Sequence, residues 1–242
     1  MKLMLLHARA LTLELARHPA FIVPTLAFPA VFFLFFAAPG PGGASTAKMA
    51  TFAGFAAIGV AFFQFGVGIA VERASPWERF LRTLPVGVGV RLGARVLSGA
   101  VFALAAAAML VTTALLTTSA TLTPGRACAL TLALVAGTAP FAVLGIALGY
   151  WAPERGALPI ANLVYLGLSY AGGLWIDPRD LPPTVATISP FLPTHALADG
   201  LTSAVSTTGQ PMHAWSVLLA FTASFAALAV WGYRRDEGRH FR

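Results

Sequence analysis

The chain has 242 residues, 57% hydrophobic and 10% charged, with a mean hydropathy of +0.77. A soluble domain carries about a quarter charged residues, so this composition excludes one and marks an integral membrane protein. The net charge is +7, but only Lys2 and Lys48 are lysines and the arginines stand beside apolar runs, which fits membrane topology rather than nucleic-acid binding.

Residues 1–18 place Leu3, Leu6, Ala10, Leu13 and Ala16 at helical spacing, with Lys2, Arg9 and Arg17 elsewhere on the helix. This reads as an amphipathic helix lying in the membrane interface, or as the start of the first span. Six apolar runs follow, about 20–38, 49–70, 92–117, 127–151, 157–175 and 213–233, each near the roughly 20 residues a bilayer core requires. The first reads as a retained anchor rather than a cleaved signal, because a segment with three basic residues precedes it and five further runs follow. Indole rings prefer the interface, and Trp151, Trp175, Trp215 and Trp231 fall at the ends of the last three runs.

Between the second and third runs lies the one long polar break, 71–95, VERASPWERFLRTLPVGVGVRLGAR. Ser75 suits an N-cap, Pro76 the first helical position, and Glu78 completes a capping box. The spacing predicts a helix over about 76–84, ended by Pro85. Trp77, Leu81 and Leu84 form an apolar stripe beside Glu78, Arg79 and Arg82. Such a stripe needs a partner or a lipid surface.

If the N-terminus is cytoplasmic, thirteen basic residues fall inside and three (Lys48, Arg126, Arg179) outside, which places both termini in the cytoplasm. The outer connections are then 39–45, a turn at Pro124-Gly125, and a segment from Ile176 to Pro211 broken by Pro182, Pro183, Pro190 and Pro193. That segment reads as short re-entrant or surface helices shielded by protein, or as an ordinary loop.

Ionisable groups are missing from the middle of the runs, which argues against proton- or ion-coupled transport. Gln64, Asn162, the Thr112–Ser119 cluster and Gly145-xxx-Gly149 remain, the last a spacing that lets helices approach closely. Seven phenylalanines in the first two runs (Phe28, Phe32, Phe35, Phe36, Phe55, Phe62, Phe65) fit either a hydrophobic substrate or packing against lipid. One cysteine, Cys128, excludes an intrachain disulfide, and no Cys/His cluster has metal-ligand spacing. Neither lysine follows a glycine, so no phosphate-cradling Gly-Lys-Ser/Thr core exists. Gly167-Leu168-Ser169-Tyr170-Ala171 loosely matches a nucleophile elbow, making a six-span intramembrane serine protease with Ser169 a rival reading. His195 is read as capping or lining a surface helix.

The segment 71–95 resembles the first cytoplasmic loop of the membrane subunits of ABC-2 type (type V) exporters, in which an acidic-basic pair leads through a short helix to Leu-Pro. The matching residues are Glu72, Arg73, Trp77, Glu78, Arg79, Leu84 and Pro85; the family's usual Gly-Thr is Ser75-Pro76 here. The turn Ala152-Pro153-Glu154-Arg155-Gly156 and the stretch Leu181-Pro182 to Pro193-Thr194-His195 extend the resemblance over the whole chain. It implies an all-α integral membrane protein, one transmembrane domain over 1–242. That domain would have six transmembrane helices, an N-terminal interfacial helix, a cytoplasmic coupling helix and short outer re-entrant helices before the last span.

It further implies a plasma-membrane permease that pairs with a second copy or a paralogous permease and does no catalysis itself. ATP and Mg would be held by separate ABC ATPase subunits, and the cargo would be a hydrophobic or amphipathic small molecule or lipid. Glu72, Arg73, Trp77, Glu78, Arg79, Leu81, Arg82 and Leu84 would meet the ATPase, with Arg9, Glu14, Glu154 and Arg155 as lesser contacts. An ATPase-independent channel or scaffold is the third reading.

Overall fold

The computed structural model describes residues 2–38, 45–76, 87–206, 209 and 211–240, and every regular element among them is helical. The long elements are α1 (Lys2–Ala16), α2 (Pro19–Phe36), α3 (Thr46–Val60), a π-helical stretch (Ala61–Val67) leading into α4 (Gly68–Ala74), and α5 (Val88–Thr117). After them come α6 (Pro124–Trp151), α7 (Glu154–Ala171), α8 (Pro183–Ile188), α9 (Pro193–Val205) and α10 (Met212–His240). Four stretches are long and apolar enough to cross a membrane: Thr46–Ala74, Gly89–Thr117, Pro124–Trp151 and Met212–Asp236. A fifth counts if α1 and α2 are taken together as one bent span.

Local chemistry sets several limits. Ser45 and Thr123 are N-caps whose side chains accept from the Lys48 and Arg126 amides at 3.2 and 3.5 Å, and Pro124 fills the first turn of α6. The helix starting at Glu154 stops at Ala171, short of the sequence-based limit at 175. Gly173 takes φ 77°, Leu174 N–H donates to Ser169 O at 3.0 Å, and Gly173 N–H donates to Tyr170 O at 3.1 Å. That is a Schellman stop, which a side chain at 173 would disfavour. Trp175 therefore stands beyond the helix, packed edge-on against Phe32 at 5.0 Å and Phe36 at 5.8 Å.

The post of the bundle is α3 with its π-helical continuation. Met49, Phe52, Phe55, Ile58 and Phe62 are fully buried, ringed by α5, α6, α9 and α2. Tyr165 of α7 stacks on Phe55 at 4.7 Å and donates its hydroxyl to the Phe55 carbonyl at 3.1 Å. Gly145 and Gly149 lie directly on the π-helical stretch: a β-carbon on Gly145 would collide with the Ala61 carbonyl oxygen, and one on Gly149 would sit 2.8 Å from that of Phe65. The spacing gives backbone-to-backbone approach, as small pairs do in membrane helices.

The segment before the last span is not an ordinary loop. Its helix α9 is buried, with Leu197 and Leu201 fully covered by α3, α6 and α10. The seven phenylalanines divide: Phe55, Phe62 and Phe65 are core, Phe32 is half-buried, and Phe28, Phe35 and Phe36 are exposed. Helix α1 packs on α5 through Met4, Ala8 and Thr12, leaving Leu3, Leu6, Ala10, Leu13 and Ala16 exposed. That exposed apolar face is what a helix on a lipid surface presents.

Candidate functional site

Helix α4 ends in two adjacent residues of opposite charge, and consecutive helical positions point about 100° apart, so they reach different neighbours. Glu72 forms an ion pair with Arg95 of α5. Arg73 forms one with Asp236 of α10, donates to the Ala152 carbonyl at 3.1 Å, and lies over the Tyr150 ring at 5.8 Å. The side chains of Arg73, Asp236 and Arg95 are 19%, 8% and 12% exposed, while that of Glu72 is 51% exposed. Charges so covered are held by their partners, because removing one partner leaves the other desolvated and unpaired.

An aromatic collar closes this foot. Trp151 meets Trp231 at 4.7 Å and donates its indole N–H to the Leu228 carbonyl at 3.2 Å, Tyr150 meets Tyr233 edge-on at 5.4 Å, and Arg235 lies 4.9 Å from the Trp151 ring. Ala70 of α4, Ala152 and Ala157 form a small apolar cluster beside it. The end of α4 is thus tied to α5, α6, α7 and α10 at one level.

Of the residues singled out in the sequence, Glu72 and Arg73 lie in this cluster. Ser75 is extended (φ −76°, ψ 144°) ahead of helical Pro76, the backbone an N-cap takes. Trp77, Glu78, Arg79, Leu81, Arg82 and Leu84, and with them the helix expected over 76–84 beyond its first residue, lie outside the described residues. Arg9, Glu14, Glu154 and Arg155 are exposed and make no ion pair among the described residues. Glu154 and Arg155 open α7, whose first turn carries Ala157 of the same foot.

Sequence reasoning did not single out Asp236, which stands among the arginines of the C-terminal stretch RRDEGR. No sequence signal marked it: the structure alone shows that Ala229, Gly232 and Asp236 are buried at helical spacing, so that the packed face of α10 runs on past the apolar run.

A second polar cluster sits higher. The Gln64 side-chain N–H donates to Ser98 Oγ at 3.2 Å, Thr12 Oγ1 donates to the same oxygen at 3.1 Å, and Gln64 Oε1 is buried with no partner among the described residues. Gln64 lies in the π-helical stretch, a departure from regular helix that recurs at functional sites.

The protease reading finds no site. Ser169 is fully buried and its hydroxyl donates to the Tyr165 carbonyl at 2.6 Å. Ser189 Oγ does lie 3.1 Å from His195 Nδ1, with Asp199 3.8 Å from the other ring nitrogen. That second distance is too long for a hydrogen bond, and Ser189 is 2% exposed, closed to a substrate. No group of three or more His, Cys, Asp or Glu among the described residues could hold a metal.

No family model matches the chain. It is similar to a Bacillus subtilis (strain 168) protein named "Putative transport permease YvfS": 22% identical over 227 residues, covering 91% of this chain and 93% of that one. The chain is an all-helical, multi-pass membrane protein with end-to-end similarity to a transport permease.

Proposed function

We propose that the chain is the membrane-spanning permease subunit of an ATP-driven exporter of the ABC-2 type, and the observation that carries this reading is the nearly full-length similarity to a transport permease. In this reading six helices cross the plasma membrane, at about 20–38, 49–70, 92–117, 127–151, 157–171 and 213–233. Both termini are cytoplasmic, and α9 re-enters from the outer side. Two such chains, or this chain and a paralogous permease, enclose the path of a hydrophobic or amphipathic cargo. ATP and Mg belong to separate ATPase subunits.

The foot supports this assignment by its position. Glu72 precedes the segment 76–84 in sequence and Arg95 follows it, so their ion pair joins α4 on one side of that segment to α5 on the other. A push on a coupling helix there is passed to α4 and α5, and through Arg73 and Asp236 to α10. Closure of the ATPase pair then moves these helices as rigid bodies. Trp77, Glu78, Arg79, Leu81, Arg82 and Leu84 supply the contact in this scheme, with Arg9, Glu14, Glu154 and Arg155 beside them. Glu72 and Arg73 transmit rather than touch.

The test is purification of the tagged chain from its native membranes. Copurification of a subunit with a Gly-x-x-x-x-Gly-Lys-Ser/Thr loop is expected. Charge reversal at Arg79 with Glu72→Lys should uncouple its ATP hydrolysis from transport while the protein still inserts. If no nucleotide-binding subunit comes down, the ATPase-independent channel or scaffold takes its place.

A further inference from the structure

The outward face of the last helix changes character along its length. Leu228, Trp231 and Arg235 occupy positions i, i+3 and i+7 of α10, one side of the helix, and all three are exposed, with Arg234 exposed beside Arg235. At 1.5 Å per residue, an apolar side chain, an indole and a guanidinium follow one another over about 10 Å. Ala229, Gly232 and Asp236, on the other side, face the bundle.

Helix α6 completes the patch. Its Trp151 lies 4.7 Å from Trp231, ring to ring, its indole N–H is held by the Leu228 carbonyl, and Arg235 sits 4.9 Å over its ring. The two indoles are fixed by protein and still open to a ligand, Trp231 being 60% exposed and Trp151 38%. Arg234 and Arg235 are accessible and have no carboxylate partner among the described residues. The acid next to them in the chain, Asp236, is turned inward and taken by Arg73, so it leaves their charge uncancelled. Glu154 and Arg155, just beyond Trp151, offset each other.

The stretch Met212–Asp236, 25 residues, is about 37 Å long against a hydrocarbon core of about 30 Å, so its ends reach the headgroups. Exposed Leu219 and Leu228 then face hydrocarbon, the two indoles mark the boundary that indoles prefer, and the two guanidiniums beyond them stand at the level of the phosphates. A guanidinium matches a phosphate with two parallel hydrogen bonds. Charge decides among lipids: a zwitterionic headgroup brings its own cation to compete with the arginines, and an anionic one does not.

We infer that Trp151, Trp231, Arg234 and Arg235 form a binding site for an anionic phospholipid of the leaflet at this end of the bundle. The phosphate accepts from the arginines, and the first acyl carbons lie against the indoles. The site does not depend on the export reading, since it needs no ATPase and no cargo movement.

The test is tryptophan fluorescence of the purified full-length chain in phosphatidylcholine nanodiscs. They carry the same small fraction of a phospholipid dibrominated near the carbonyl end of its acyl chains, either phosphatidylglycerol or phosphatidylcholine. Brominated phosphatidylglycerol should quench at least about fivefold more strongly, the enrichment that one basic residue near the surface brings. Trp151→Phe with Trp231→Phe should remove this difference. Arg234→Gln with Arg235→Gln should bring the two lipids level, while Arg234→Lys with Arg235→Lys, which keeps both charges, should retain a preference. Inorganic phosphate at constant ionic strength should leave the preference unchanged. Equal quenching by the two lipids in the unaltered protein overturns the site, as does a preference that survives the glutamine or phenylalanine pair, or one that the lysine pair also loses. A preference abolished by inorganic phosphate assigns the arginines to a free anion and overturns the lipid. Quenching by neither lipid means that protein covers this face, as in a dimer through α10, and overturns the site as well.

Discussion

The stretches Thr46–Ala74 and Met212–Asp236 are nearly equal in hydropathy, yet of an apolar 18-residue window in each, 78% is buried inside the bundle in the first and only 11% in the second. The difference lies in the size of the side chains. The first carries Gly54, Gly59, Gly66 and Gly68 among alanines and phenylalanines; the second has only Gly232 and presents exposed Leu219, Leu228, Val230 and Trp231. Small residues let backbones approach, so the first became the post, while large aliphatic ones leave the second to face outward. Hydropathy therefore reports the medium that a helix can tolerate and says nothing of its neighbours.

The contrast can be broken most forcefully at the post. Gly145→Val drives side-chain carbon into the Ala61 carbonyl, and a backbone clash of that kind is expected to cost about 3 kcal/mol or more. In fluorescence-detected size exclusion the monodisperse peak should vanish; a surviving peak at unchanged melting temperature would mean that the two helices are not in backbone contact.

At the foot, where the outward-facing helix is tethered, Asp236→Ala strands Arg73 and should cost about 2–4 kcal/mol, somewhat less than a fully buried pair because Arg73 keeps some solvent. The double variant Arg73→Ala/Asp236→Ala should recover part of the loss, and additive losses in thermal unfolding would show that the two charges are independent.

Tyr165→Phe removes one hydroxyl from the post and leaves its stacking on Phe55 intact, so a loss of about 1–2 kcal/mol is expected, read as a modest drop in melting temperature. Gln64→Met exchanges a half-satisfied buried amide for an apolar chain of similar length; stability should stay within about 1 kcal/mol or rise. Smallest of all, Leu219→Ala on the 70%-exposed side of the last helix should change stability by about 0.5 kcal/mol or less, and a larger drop would reveal a partner on that face.

Much of the helical pattern was legible because uninterrupted apolar runs of bilayer length seldom occur outside membrane-crossing helices. The stop at Gly173 was not, since Leu174 and Trp175 continue the apolar run while the glycine's left-handed backbone turns the chain aside. On α1 the spacing revealed an apolar stripe but not which way it looks, for lipid and protein select the same side chains. At the foot, Glu72 and Arg73 stood out as charges at the edge of an apolar run. Their partners did not, because Arg95 lies 23 and Asp236 163 residues away, and no local pattern encodes such a pairing. Among the arginines of RRDEGR, a net-basic stretch hides one inward-pointing carboxylate, Asp236.

With no room for even a methyl group between Gly145 and the peptide of Ala61, or between Gly149 and that of Phe65, the two helices cannot roll or slide past one another. They form a single beam. Any change in the shape of the bundle must open along seams where side chains alone meet, and a shallow cleft between α5 and α6 is one of these.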